Sequence, residues 1–89
     1  MPATGGKGIV RIGFFGRLRD ALGDECEVPA ERGETVARLR TRLAGLHPGA
    51  AGDLLSPGVR AFVADEAVGE DFLLAGQERV EFLPPLSGG

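Results

Sequence analysis

The apolar positions change period along the chain. From Ile9 to Phe15 (IVRIGFF) they follow the two-residue period of a strand. Val10, Ile12 and Phe14 fall on one face, and Ile9, Arg11, Gly13 and Phe15 on the other. Gly16 opens the stretch GRLRDALG, where Leu18, Ala21 and Leu22 recur at helix spacing and Gly23 suits a C-terminal cap. ECEVP alternates again, with Cys26 and Val28 inward and Glu25 and Glu27 outward. The longest helical stripe is Val36, Leu39, Leu43 and Leu46. Thr35 is placed to cap it, although Arg38 at the third helical position leaves no capping box. Arg38, Arg40 and Arg42 are expected mostly in water, and His47, Pro48 and Gly49 stop the helix.

After an expected loop, VRAFVA (Val59–Ala64) predicts a third strand, with Asp65-Glu66 as a turn before AVG. Phe72–Leu74 fits either a short strand or a turn. RVEFL (Arg79–Leu83) closes the pattern, Val80 and Phe82 on one face and Arg79, Glu81 and Leu83 on the other. One long helix on one face of a mixed sheet, with a short helix between the first two strands, is an α+β arrangement. The inward residues of these elements form the expected core, with Phe62 the inward residue of the third strand against a competing face of Val59, Ala61 and Val63.

Length and charge narrow the function classes. A chain of 89 residues is expected to form one domain, at a size where a single core barely suffices and a deep catalytic cleft does not fit beside it. Residues 1–8 (MPATGGKG) read as a flexible tail, 9–83 as the domain and 84–89 as an extended tail. The net charge of −3, with no Tyr or Trp, does not suit nucleic acid. No segment approaches the roughly 20 apolar residues of a membrane span, so a cytoplasmic protein is expected.

A census of reactive side chains finds no catalytic set. His47, the only histidine, stands at a helix end with nothing to complete a dyad. Cys26, the only cysteine, alternates with Val28 and reads as a small buried hydrophobe. Lys7 is followed by Gly8, which breaks the phosphate-loop pattern. Asp65-Glu66 and Glu70-Asp71 read as solvated surface, and no metal or bound cofactor is expected.

The last residues, LPPLSGG, offer different chemistry. A terminal carboxylate, with a pKa of about 3.5, is ionised and inert until an oxygen is made a leaving group, as in an acyl-adenylate formed from ATP. That step requires a partner with a nucleotide site. Gly88 and Gly89 provide an end thin enough for a narrow channel. Pro84 and Pro85 terminate the last strand and keep the exit extended, and Leu86 offers one apolar anchor before Ser87.

These features together resemble the ubiquitin-like, β-grasp sulfur carriers, most of all the molybdopterin synthase small-subunit branch. The likeness covers nearly all of residues 9–89 and rests on FFGRLRDALG, the long helix, GVRAFVADEAV and ERVEFLPPLSGG. It implies that an E1-like enzyme adenylates Gly89 with ATP and that a sulfur donor protein supplies the sulfur of a thiocarboxylate. The large synthase subunit, in a heterotetramer with the carrier, then uses that sulfur to build the molybdopterin dithiolene. Pro84, Pro85, Leu86, Ser87 and Gly88 become the channel segment, and the chain is not an enzyme alone. The helix GRLRDALG favours this branch over the thiamine-pathway carriers, which have a tight hairpin there. Carriage of sulfur for thiamine, cysteine or tRNA thiolation, and attachment to other proteins as a modifier, are the alternatives. A plain binding module with an inert tail is a third class. AGQE at 75–78 replaces an acidic-Gly-acidic turn common in the family. The strand phases put Phe15 and Leu83 on the face away from the helix, as an apolar patch beside the tail, and Ala67 is assigned to the same partner-binding surface.

Overall fold

The computed structural model describes residues 8–84. The elements are β1 (Ile9–Phe14), α1 (Arg17–Leu22), β2 (Glu25–Pro29), α2 (Val36–Leu46), a 3-10 turn (Pro48–Ala50) continuing into α3 (Ala51–Leu54), β3 (Arg60–Val63), β4 (Glu66–Val68) and β5 (Arg79–Leu83). The sheet order is β2-β1-β5-β3-β4. β1 and β5 run parallel at its centre and every other pairing is antiparallel. This is a ubiquitin-like β-grasp fold, a mixed sheet gripping one long helix.

The helix packs on the face that strand alternation assigned to the core. Val10, Ile12 and Phe14 of β1, Val80 and Phe82 of β5, and Val36, Leu39 and Leu43 of α2 are all buried. Thr35 caps α2 as expected, its Oγ1 accepting from Arg38 N at 3.2 Å. Two further N–H groups of that first turn find acceptors in the 69–74 loop: Val36 N donates to Phe72 O at 3.0 Å and Ala37 N to Glu70 O at 2.9 Å. Phe72–Leu74 therefore forms neither a full strand nor a tight turn. It is a strap across the helix start, with one β-bridge between Thr35 and Leu73.

Several expectations are corrected. The segment after His47 is helical rather than a loop, and Ala50 and Leu54 from it close one end of the core. Leu46 lies past that end and is exposed, while Leu22 and Cys26 are only half-buried. Phe62 is outside the core: Val59 and Ala61, on the competing phase, are buried instead. The β3–β4 turn is made by Ala64 (φ 53°) and Asp65 (φ 67°), one residue before the predicted pair.

Arg40 is not in water. It is buried, donates from Nη1 to Leu54 O at 2.9 Å and from Nη2 to Glu70 Oε2 at 2.7 Å, and lies over the Phe82 ring at 5.2 Å. Arg42 is half-buried and grips the buried Glu34 carboxylate with two bonds, of 2.9 and 2.7 Å.

Candidate docking face and tail exit

Because β1 and β5 are parallel neighbours, both strands leave the sheet at the same rim. Phe14 pairs with Phe82 there, and the register, continued by one residue, sets Phe15 beside Leu83. Both side chains turn to the face that α2 does not cover. Gly16 follows Phe15 with φ 61° and ψ −137°, a conformation that side chains oppose. A Cβ there would lie 2.7 Å from Pro84 Cγ, so the turn into α1 packs directly on the first residue after β5. Pro84 has no amide hydrogen with which to prolong the ladder. Pro85, Leu86, Ser87, Gly88 and Gly89 lie outside the described residues, as do residues 1–7. Gly8 belongs to the sheet's margin, its carbonyl accepting from Ala30 N at 2.8 Å.

The uncovered face divides into two halves. On the β2–β1 side the charges satisfy one another. Arg11 meets Glu27 at 3.2 Å. Arg79 reaches across β1 to Glu25, and also bonds Glu81 at 3.2 Å. Gly13 makes that crossing possible, since a Cβ at this position would fall 2.6 Å from Arg79 Nη2. Hydrogen bonds to Glu25 and Glu81 push the Arg79 guanidinium up from its ordinary value.

The other half is apolar apart from Arg60, the register partner of Leu83. Phe62 pairs with Glu81 of β5 and Ala67 of β4, which puts Phe62 and Ala67 on the same face as Leu83. Phe15 is 37% exposed, Leu83 and Phe62 are half-buried and Ala67 is exposed. Phe62 is the member that sequence reasoning missed. Its signal was present in the competing phase of β3, whose burial leaves Phe62 no place inside.

The remaining candidates are apart from this face. Burial pushes the half-buried Cys26 thiol up, which opposes thiolate chemistry. His47 caps α2, its N–H donating to Leu43 O at 2.9 Å, and is half-buried. The Glu70 carboxylate is engaged by Arg40. Among the described residues no group of three or more His, Cys, Asp or Glu side chains could hold a metal, and no helix is long and apolar enough to cross a membrane.

The fold is a ubiquitin-like domain with an uncovered apolar half-face beside the end of β5. Residues 12–89 match the family model described as the ThiS family, and the chain belongs to that family of ubiquitin-like sulfur carriers and modifiers. A search among curated proteins returns no match. Among solved structures, SAMP1 from Haloferax volcanii is similar at 22% identity, with a TM-score of 0.80 over 92% of this chain and 100% of that one. A Pyrococcus furiosus protein assigned as molybdopterin converting factor, subunit 1, is 24% identical, with a TM-score of 0.75 over 89% and 99% of the two chains. The Amycolatopsis orientalis BexX/CysO complex aligns at 25% identity and a TM-score of 0.68, over 90% of this chain and 99% of its counterpart. Small carriers of this type are in general non-catalytic, and CysO is seen in that structure in complex with BexX.

Proposed function

We propose that this chain is a sulfur carrier working through Gly89, as the small subunit of molybdopterin synthase. A carboxylate oxygen of Gly89 attacks the α-phosphorus of ATP in an E1-like adenylating enzyme, and pyrophosphate leaves. A persulfide of a donor protein then attacks the acyl carbon and expels AMP. A thiol attacks the donor's sulfur to cleave the new S–S bond, which leaves a thiocarboxylate on Gly89 and a disulfide on the donor. Free hydrosulfide gives the same thiocarboxylate in one displacement of AMP. The large synthase subunit accepts that sulfur for the dithiolene of molybdopterin. The observation that carries the reading is the contact of Gly16 with Pro84, which starts the tail beside Phe15, Leu83, Phe62 and Ala67. A partner seated on those side chains has the Gly88-Gly89 end within reach, since six residues from Pro84 span at most roughly 20 Å. The helix α1 between β1 and β2 favours the molybdopterin branch, as does the likeness to the Pyrococcus furiosus factor. The likeness to SAMP1, a small archaeal modifier protein by name, favours a second reading in which Gly89 is joined to other proteins.

Incubation with the adenylating enzyme of the same host, ATP and a sulfide source tests the first step. Intact mass is expected to show one oxygen of the Gly89 carboxylate replaced by sulfur. Transfer of that sulfur to a pyranopterin by the large subunit supports the molybdopterin role, and isopeptide adducts support the modifier reading. Sulfur found on Cys26, with Gly89 unmodified, overturns the carrier mechanism.

A further inference from the structure

Resting on the carrier reading, we propose that Arg60 selects the partner: the protein that docks on the uncovered face presents an Asp or Glu carboxylate to Arg60 within an otherwise apolar contact.

The inference follows from how the arginines are used. Six of them (Arg11, Arg17, Arg19, Arg40, Arg42 and Arg79) have a carboxylate within 4.0 Å, the limit for an ion pair. Among the described residues Arg32, Arg38 and Arg60 have none. Arg32 lies on the turn before α2 and Arg38 on α2 itself, so Arg60 alone of these three stands on the sheet. It pairs with Leu83 in the β3–β5 register, which places it on the uncovered face two residues from Phe62. The acids of that face are already engaged, Glu25 and Glu81 by Arg79 and Glu27 by Arg11. Two arginines answer three carboxylates there, so the face is neutral as a whole once Arg60 is counted, and Arg60 is its one guanidinium with no carboxylate within 4.0 Å among the described residues.

The surroundings of Arg60 leave room for a partner's side chain. It borders an open groove of about 470 Å³ at the β3–β4 edge of the sheet, lined by Leu55, Pro57, Ala67 and Gly69 and also by Arg40 and Val59 from the side that α2 covers. The acid of that groove, Glu70, is bound to Arg40 at 2.7 Å. The register of β3 with β4, continued by one residue, sets Gly69 opposite Arg60, so no side chain covers the guanidinium from the edge strand. A purely apolar partner would strip water from this guanidinium and give nothing back, which penalises the wrong protein. A carboxylate in the groove meets it with two parallel hydrogen bonds, a geometry that Arg supplies and Lys does not. A phosphate polymer fits poorly because the chain as a whole carries −3.

The probe is the adenylating enzyme of the same host, titrated with the full chain at two salt concentrations. Arg60→Ala is expected to weaken binding about tenfold and Arg60→Glu about a hundredfold or more, with the loss shrinking as salt rises. Arg60→Lys recovers only part of it. Arg38→Glu, with the same change of net charge on α2, is the control and is expected to bind as the unchanged chain does. Circular dichroism verifies that each variant is folded. Arg60→Glu binding within twofold of the unchanged chain overturns the inference alone. Equal losses for Arg60→Glu and Arg38→Glu also overturn it, since they assign the effect to net charge. If the unchanged chain does not bind, the carrier reading fails and the inference falls with it.

Discussion

Gly16 and Pro84 touch across the rim of the sheet, 68 residues apart in sequence, so close that a Cβ on Gly16 would sit 2.7 Å from Pro84 Cγ. The contact exists because β1 and β5 are parallel neighbours. It links the turn into α1 to the direction in which the chain leaves the domain. Glycine serves two purposes here, absence of bulk and a φ of 61° with ψ of −137°.

Replacing Gly16 by Ala meets both constraints at once. The backbone conformation alone costs about 1–3 kcal/mol. Chemical denaturation is expected to show a loss greater than the backbone cost alone, and sulfur loading of Gly89 to fall at concentrations where the variant is folded. Pro84→Ala in the same chain removes the steric conflict but not the backbone strain, so recovery is partial. Full recovery overturns the backbone argument, and no loss in the single variant overturns the contact.

The Glu34–Arg42 pair makes a stability prediction. Glu34 is 4% exposed and both its oxygens accept from Arg42. Removing Arg42 leaves a buried carboxylate without its partner, at a cost of about 3–5 kcal/mol. Arg42→Ala is thus expected to be far more damaging than Arg38→Ala, one turn earlier on the exposed side. Glu34→Gln in the Arg42→Ala chain restores part of the loss by removing the charge. Equal stabilities for Arg42→Ala and Arg38→Ala contradict this account.

How much of this was legible in the sequence depends on how unequal the two faces of each element are. β1 and β5 alternate cleanly, so Phe14 and Phe82 were placed inside and Phe15 and Leu83 outside. β3 carries apolar residues on both faces, and RAFV reads equally well in either phase. Burial of Ala61 settles it, and Phe62 moves to the uncovered face. Arg40 was misread for a different reason. It falls four residues after Val36 and three before Leu43, on the helix's own apolar stripe, but a guanidinium there looks like surface until Leu54 and Glu70 are brought to it from distant segments. PGAAGDL, rich in small residues, gives no stripe at all. The chemistry proposed for Gly89 is read from a carboxylate and glycines rather than from packing, and it lies outside the described residues.

Glu78 ties stability to pH. Burial pushes its carboxyl up, but hydrogen bonds from the backbone N–H groups of Ala75, Gly76 and Gln77 outweigh this and hold it below the ordinary range. A carboxyl depressed in the folded state stabilises it fully above the unfolded pKa of about 4.3, and the contribution is lost as pH falls through the lower folded value. Glu78→Gln is expected to be less stable than the unchanged chain at pH 7, with the gap narrowing below about pH 4. A gap that is constant between pH 7 and pH 3 assigns the effect to shape rather than charge. The carboxylate thus holds the AGQE turn, supplying acceptors to a Gly76 at φ 104°.

The last prediction separates docking from folding, using Phe62 and its neighbours. Phe82 is fully buried under Arg40 and α2, whereas Phe62, in the same sheet, is half-buried on the opposite face. A charge at 82 must be desolvated for the domain to fold, at a cost of several kcal/mol, so Phe82→Asp and Phe14→Asp are expected to unfold it. A charge at 62, 83 or 15 stays hydrated in the free chain. Phe62→Lys sets its ammonium near Glu81, its register partner, and Leu83→Asp sets a carboxylate near Arg60, so neither leaves an unbalanced charge. These variants, with Phe15→Asp, are expected to keep their circular dichroism and melt within a few degrees of the unchanged chain. In a complex the same charges would be stripped of water, and every 1.4 kcal/mol of that cost is tenfold in affinity. Binding to the adenylating enzyme or the large synthase subunit, read by titration, is therefore expected to weaken by two orders of magnitude or more. Unfolding of Phe62→Lys together with tolerance of Phe82→Asp would invert the strand phases. Normal binding by all three folded variants would place the docking surface away from this face and leave Arg60 without a role in it.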